Sequence, residues 1–341
     1  MLNRKIGAWA YYWASCSSIE CLSFRNNRAL ISVKVCTIGT TAYNLYLITV
    51  DDTPTFVVPN TIFGIAGMAT GPLLVAATGE PHEPLLLHQS IYCVAQTVLY
   101  NWTNLLVFDL ANQRQSSHED ALNKPWRPIP SGRMSSVQMR RLLLIAIPLV
   151  LAYNHFILHV GVETGALFIL TWLYNDLGGG DENWILRNGI IACAFGLYNL
   201  GSLKVAAISA SLVIHSRAAP VAATRIGLEW AMLISGVIFT TMHVQDLKDV
   251  EGDKTRGRCS APIILGPKAA AWTVAVPVLL WSAICSIFWN APLPVVLVTS
   301  LLGISVSWRC VVLSGTAADR RTWQLWCAWT AMLYIMPPLS A

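Results

Sequence analysis

Long apolar stretches fill most of this chain, near residues 29–50, 59–79, 88–111, 139–160, 163–178, 184–210, 225–245, 267–289, 293–313 and 322–340, with short polar connections between them. Most of these runs approach the roughly 20 residues that a helix needs to cross about 30 Å of hydrocarbon. The pattern predicts nine membrane-spanning helices from Pro59 onward, and the short 163–178 run is expected to tilt or kink. The first run, 29–50, carries Lys34 and reads equally as an interfacial or re-entrant helix or as a tenth span. The expected fold class is therefore all-α, a multi-pass transmembrane helical bundle of about nine spans with a further N-terminal helix in question.

Composition supports that class. Of 341 residues, 55% are hydrophobic and only 12% charged, about half the share usual in soluble domains, and the mean hydropathy is +0.52. The net charge of +5 is small and its basic residues lie between apolar runs rather than in a tract, which argues against a nucleic-acid partner. Nine cysteines are scattered with no CxxC spacing, and most read as small apolar core residues. Lysine and arginine gather in alternate connections: Arg114 to Arg141, then Lys248 to Lys268, then Arg320 and Arg321. By the positive-inside rule these connections face the cytosol, and the uncharged ones at 161–162 and 290–292 face away.

Two polar islands interrupt this pattern on the side expected to be cytosolic. The second of them, Gln245 to Gly257, places Asp246, Asp249 and Asp253 at i, i+3 and i+7, on one face of a helix end. Three like charges at a membrane boundary repel and lose hydration, so a cation should neutralise them; Mg²⁺, which takes a carboxylate or two and shares substrate phosphates, suits the task. The first island, Asn112 to Gly132, would set Asn112, Ser116, Glu119 and Asp120 on one face if the preceding helix continues past its apolar part. Lys124, Arg127 and Arg133 follow, in a loop that Pro125, Pro128 and Pro130 stiffen. A basic loop beside acidic helix ends suits a diphosphate held between metal and arginine. Either island alone is as well explained by a solvated helix cap or a positive-inside loop; two on one side, four crossings apart, are not.

These residues resemble the UbiA superfamily of intramembrane prenyltransferases, whose nine-helix members carry an NDxxDxxxD motif, an RPxPSG-like loop and a second DxxDxxxGD motif. The resemblance covers about residues 55–340. Asp246, Asp249, Gly252 and Asp253, with Pro262 and Gly266, match the second motif. Asn112, Asp120 and the run from Arg127 to Gly132 match the first motif and its loop, while Gln113 and Ser116 stand where aspartates are usual. Tyr198 and Lys204 resemble a Tyr and Lys pair of the family. The pattern NQxxSxxED followed by NKPWRP resembles the branch that includes fungal membrane-bound terpene cyclases.

The resemblance implies Mg²⁺ held by Asp246, Asp249 and Asp253 on one side and by Asn112, Glu119 and Asp120 on the other, with Arg127, Tyr198, Lys204 and Lys254 contacting an isoprenyl diphosphate. Residues 1–54 then form a basic N-terminal segment and 55–341 the transmembrane catalytic domain. The implied activity is cyclisation of farnesyl or geranylgeranyl diphosphate; transfer of the prenyl group to an aromatic or alcohol acceptor is the alternative. The implied setting is the endoplasmic reticulum membrane, with lipid and the diphosphate as partners and no protein partner deducible. A transporter with charged gates is the competing class, and it would bind without releasing diphosphate.

Trp102, Tyr153, Phe156, Trp172, Tyr174, Tyr198 and Trp230 are candidate walls for a carbocation, although most aromatics in membrane helices pack or anchor. His155, His159 and His243 read as hydrogen-bonded structural histidines, with His243 nearest the second motif. The sequon at Asn101 falls within an expected span, which argues against glycosylation.

Overall fold

In a computed structural model of the protein, residues 39–77, 85–215 and 221–340 are described. The basic N-terminus and most of the 29–50 run lie outside them; residues 39–49 are helical. From Asn44 onward the chain packs as one compact unit. Asp51 and Asp52, which the sequence reading left in the N-terminal segment, belong to it.

Eleven helices of seven residues or more follow: α1 (Thr53–Ala69), α2 (Leu87–Gln113), α3 (Ser117–Asn123), α4 (Ser136–Phe156), α5 (Gly161–Asn175), α6 (Trp184–His215), α7 (Arg225–Thr241), α8 (Asp246–Arg256), α9 (Pro267–Phe288), α10 (Leu293–Val312) and α11 (Thr316–Tyr334). Five stretches among the described residues are long and apolar enough to cross a membrane: Ser136–Phe156, Trp184–Ile214, Arg225–Arg256, Pro267–Phe288 and Leu293–Val312. The other long runs differ for identifiable reasons. The 59–79 run is not one helix, because Gly71 at φ +64° and Pro72 end α1 and the chain enters a short strand, Val75–Ala77. That strand pairs antiparallel with Val221–Ala223, a small sheet that the all-α reading did not foresee. Helix α5 has only 15 residues, and α2 carries buried Asn101, Asn104 and Asp109 on its inner side.

Helix α6 is the hub, touching α1, α2, α5 and α7. Its apolar positions run all round it, as expected of a helix surrounded by protein. The main core joins Phe56, Phe195, Tyr198, Trp230, Ile234, Trp326 and Trp329, while α2 and α4 share a smaller cluster around Leu106, Leu110 and Met139. The outward faces of α4, α9 and α10 expose Leu144, Leu149, Leu280, Ile287, Leu297 and Leu301, an apolar exterior suited to lipid. Some of the polar groups inside pair across helices. Asn101 is fully buried, donates to Thr61 Oγ1 at 3.1 Å and accepts from Ser202 Oγ at 2.9 Å, so its sequon is inaccessible to a glycan.

Candidate active site

A cavity opens among α1, α2, α3, α5, α6 and α8, with a charged rim and an apolar body. Asp52, Asn112, Glu119, Lys124, Arg127, Arg187, Gln245, Asp249 and Arg258 belong to the rim, and Phe56, Phe108, Leu167, Leu170, Tyr174, Ile190, Ile191 and Tyr198 to the body.

Helix α8 begins after a 3₁₀ turn, Met242–Gln245, and carries all three aspartates of the second island. Only Asp249 lines the cavity, where Lys248 pairs with it at 2.5 Å. Asp246 is buried with Arg187 2.5 Å away, and Asp253 is buried with Arg258 at 3.0 Å. Gly257 ends the helix at φ +76°, a left-handed cap that glycine adopts without strain. That cap folds the chain back so that Arg258 N–H donates to Asp253 O at 2.9 Å and its guanidinium reaches Glu119 Oε1 and Asp181 Oδ1 at 3.0 and 2.9 Å.

The first island does not continue α2. The helix ends at Gln113, turns, and restarts as α3, so the expected single face through Asn112, Ser116, Glu119 and Asp120 is broken. Asn112 stays at the rim and donates to Asn175 Oδ1 at 2.8 Å. Gln113 points away and donates to Ile48 O at 2.7 Å. Glu119 is held by Arg256 and Arg258, both at 3.0 Å. Burial pushes its carboxyl up, but the Arg258 and Arg256 guanidiniums outweigh this and hold it below the usual range. Asp120 accepts from Arg127 at 2.9 Å and from Ser116 Oγ at 3.1 Å; burial dominates there and raises its carboxyl despite Arg127.

Arg127 is buried among Asp120, Asp52 at 2.8 Å and Asp51 at 3.6 Å. Burial lowers its affinity for the proton, but these carboxylates more than offset it. Lys124 reaches the cavity wall, and among the described residues no carboxylate lies within ion-pair distance of it. Burial and Arg127 work against its charge, yet the more distant Asp52, Asp249 and Asp120 keep it protonated.

Several expected residues lie elsewhere. Lys204 pairs with Glu163, deeper in the bundle and away from the lining, and Lys254 is exposed on the outer side of α8. Among the aromatic candidates Tyr174 and Tyr198 line the cavity. Trp172 and Phe156 face outward, Trp230 packs on Phe288 and Trp289, Tyr153 donates to Gln96, and Trp102 donates to Thr49. His243 is buried between Asn188 and Thr273, at 3.0 and 2.9 Å, a structural role. Sequence reasoning missed Arg187, Arg258, Asp52 and Asp181. A lone arginine inside the apolar 184–210 run was the available signal for Arg187, since ionisable residues at membrane depth mark function.

The fit of α8 to Mg²⁺ rests on orphaned oxygens just behind the rim. Asp246 Oδ1 pairs with Arg187, while Oδ2 of Asp246 and Oδ2 of Asp253 are buried without a partner, hard oxygens of the kind Mg²⁺ takes. Among the described residues no three acidic or imidazole groups converge into a closed metal cage. Mg²⁺ needs none, because it is commonly bound by one or two carboxylates with water and substrate phosphates completing the shell.

An aromatic-walled cavity under a rim of arginines and carboxylates, inside a bundle of membrane-length helices, is built for an amphiphile with an anionic head. Residues 60–329 match the UbiA prenyltransferase family, and the chain belongs to it: an enzyme family acting on prenyl substrates. It is similar to the fumagillin β-trans-bergamotene synthase of Aspergillus fumigatus, at 28% identity over 65% of this chain and 71% of that one. It is also similar to a polyprenyl transferase of Hericium erinaceus, at 31% identity over 64% of this chain and 67% of that one. A UbiA homolog from Archaeoglobus fulgidus, solved bound to DMAPP and Mg²⁺, superposes with a TM-score of 0.54 over 85% of this chain and 97% of that one; at 14% identity the likeness is one of fold.

Proposed function

We propose that this protein is a membrane-embedded terpene cyclase that ionises farnesyl or geranylgeranyl diphosphate at the cavity rim and cyclises the resulting carbocation in the cavity body. The observation that carries the reading is the junction of the two within one cavity. Charged groups that can hold a diphosphate line the same cavity as the aromatic side chains of Phe56, Phe108, Tyr174 and Tyr198.

Lys124, Arg187 and Arg258 present cationic N–H groups to the diphosphate, and Asn112 and Gln245 add neutral polar groups. Asp246, Asp249 and Asp253 would hold Mg²⁺, with Asn112 and Glu119 nearest to a second ion; when bound, the metal polarises the phosphate oxygens and offsets the charge of the departing group. The C1–O bond breaks, its electron pair leaves with the diphosphate, and an allylic cation remains. The aromatic faces below can stabilise that cation by roughly 0.5–2 kcal/mol each while the apolar wall excludes water. A distal double bond of the same chain then supplies the electron pair for ring closure, and loss of a proton ends the sequence.

Transfer to an acceptor is the second reading, and the fungal polyprenyl transferase at comparable identity is the observation that favours it. The two separate by experiment. Purified protein in nanodiscs, given Mg²⁺ and each diphosphate alone, should yield hydrocarbon and an equal amount of pyrophosphate. Traces of hydrolysed alcohol alone, followed by prenylated product once a phenolic acid is added, would establish transfer. The reading includes nine spans in the endoplasmic reticulum membrane with both acidic islands cytosolic. Tags at Arg133 and Lys254 should both report that side, and opposite locations would dismantle the shared site.

A further inference from the structure

The deep end of the cavity is closed by aromatic rings two layers thick. Helix α6 descends from Arg187 at the rim to Tyr198, the last of its residues to line the cavity, and the eleven steps between them span about 16.5 Å at 1.5 Å of rise each. Helix α5 runs the other way, so that Asn175 meets Asn112 at the rim while Leu167, eight residues earlier, lines the cavity about 12 Å further in at 1.5 Å of rise each. The Tyr198 ring sits 5.7 Å from Phe56 and 6.3 Å from Tyr100, which does not itself line the cavity. Phe195 stacks obliquely on Phe56 at 4.7 Å and braces it.

Tyr100 is fully buried and cannot retreat. Its hydroxyl donates to Leu197 O at 3.2 Å, and its ring lies against Gly201, where an added Cβ would fall 2.0 Å from the phenol oxygen. Removing the first layer would therefore open the cavity only as far as the second.

We propose that Tyr198, seated on Phe56 and backed by Tyr100, is the floor that limits the length of prenyl chain this cavity accepts. This rests on reading the cavity as a prenyl diphosphate site. An extended farnesyl chain measures about 14 Å and an extended geranylgeranyl chain about 19 Å at roughly 1.25 Å of advance per carbon–carbon bond. The first fits the depth from Arg187 to Tyr198, and the second enters only folded. Tyr198 thus ranks substrates by length through contact of its ring with the chain's far end, and its hydroxyl is not required for that ranking.

The test compares wild type, Tyr198→Phe, Tyr198→Ala and Leu167→Ala, each shown by thermal melting to be folded. Pyrophosphate release is measured with farnesyl, geranylgeranyl and C25 diphosphates. Binding of the matching non-hydrolysable thiolodiphosphates is measured in parallel. Tyr198→Ala should raise kcat/KM for the longer chains relative to farnesyl by about tenfold or more, the scale on which a few methylenes discriminate. Tyr198→Phe should keep the wild-type ranking, and Leu167→Ala, in the wall above the floor, should shift it in the direction of the Tyr198→Ala change by a smaller factor. An equal loss with every length in the alanine variants would make Tyr198 a packing residue and overturn the proposal. If wild type releases no pyrophosphate from any diphosphate, whether alone or with a phenolic acid acceptor, the cyclase and transferase readings fail together. The thiolodiphosphate series then still reads whether Tyr198 ranks chain length, and an unchanged ranking there overturns the floor on its own.

Discussion

The two acidic islands look alike in sequence, yet the structure gives their carboxylates opposite duties. In α3 every carboxylate oxygen is engaged: Glu119 by Arg256 and Arg258, Asp120 by Arg127 and Ser116. In α8, Asp246 and Asp253 lie beside arginines but each keeps a buried Oδ2 without a partner, and Asp249 faces the cavity. Carboxylates whose bonds are all used hold a loop in place; carboxylates with unmet oxygens still demand a cation. The comparison assigns α3 chiefly to building the rim and α8 chiefly to the metal and diphosphate.

The sharpest way to break that division is to substitute one carboxylate from each helix. Asp249→Asn removes a charge from the cavity wall, where a transition-state stabilising group is worth about 2.7–4 kcal/mol, so pyrophosphate release should fall about 100- to 1,000-fold. Its melting temperature should change little. Activity near wild type would remove α8 from the chemistry.

Glu119→Gln should show the reverse balance. It leaves Arg256 and Arg258 leaning on Asp181 and Asp253 alone, and the stability lost should be at most about 3 kcal/mol, read by thermal melting, with a smaller loss of turnover. The pH dependence has a definite sign. The folded carboxyl is held below its ordinary value of about 4.5, so its stabilising contribution is complete above that value and is lost as pH falls through the lower folded one. Wild type should therefore lose melting temperature on acidification below about pH 4.5, and Glu119→Gln should lack that component of the slope. A parallel slope in both would assign the acid sensitivity elsewhere.

The smallest effect is expected from Ser116→Asp. The Ser116 hydroxyl donates to Asp120, and a carboxylate in its place would face a carboxylate already occupied by Arg127. Turnover should change by less than about tenfold, with a slight loss of stability from the like-charge contact. A large gain would mean that α3 lacks a metal ligand after all.

Much of this was legible in the chain. The apolar runs gave the bundle its helices, and the spacing of Asp246, Asp249 and Asp253 located α8. What the sequence could not convey was partnership across the bundle. Arg187 and Asp246 are 59 residues apart and Glu119 and Arg258 are 139 apart, so no local period links them. Nor could periodicity tell which way an aromatic points. Trp172 and Tyr174 are two residues apart on α5, a separation of about 200° round the helix, and one faces outward while the other lines the cavity. The break between α2 and α3 was similarly hidden, because the polar residues that end α2 are the same types that continue a helix along its solvated face.

One contact between the acidic helices bears on how portable they are. Asn123, at the end of α3, donates to Asp249 O at 3.0 Å, and Gly252 on α8 lies so close that an added Cβ would fall 2.1 Å from the Asn123 amide nitrogen. The two helices interlock through a side chain on one and the lack of one on the other. A chimera that imports either helix from a relative inherits half of a lock and key, so the unit of exchange in this enzyme is the pair, and recombination libraries should place no crossover between residues 117 and 256.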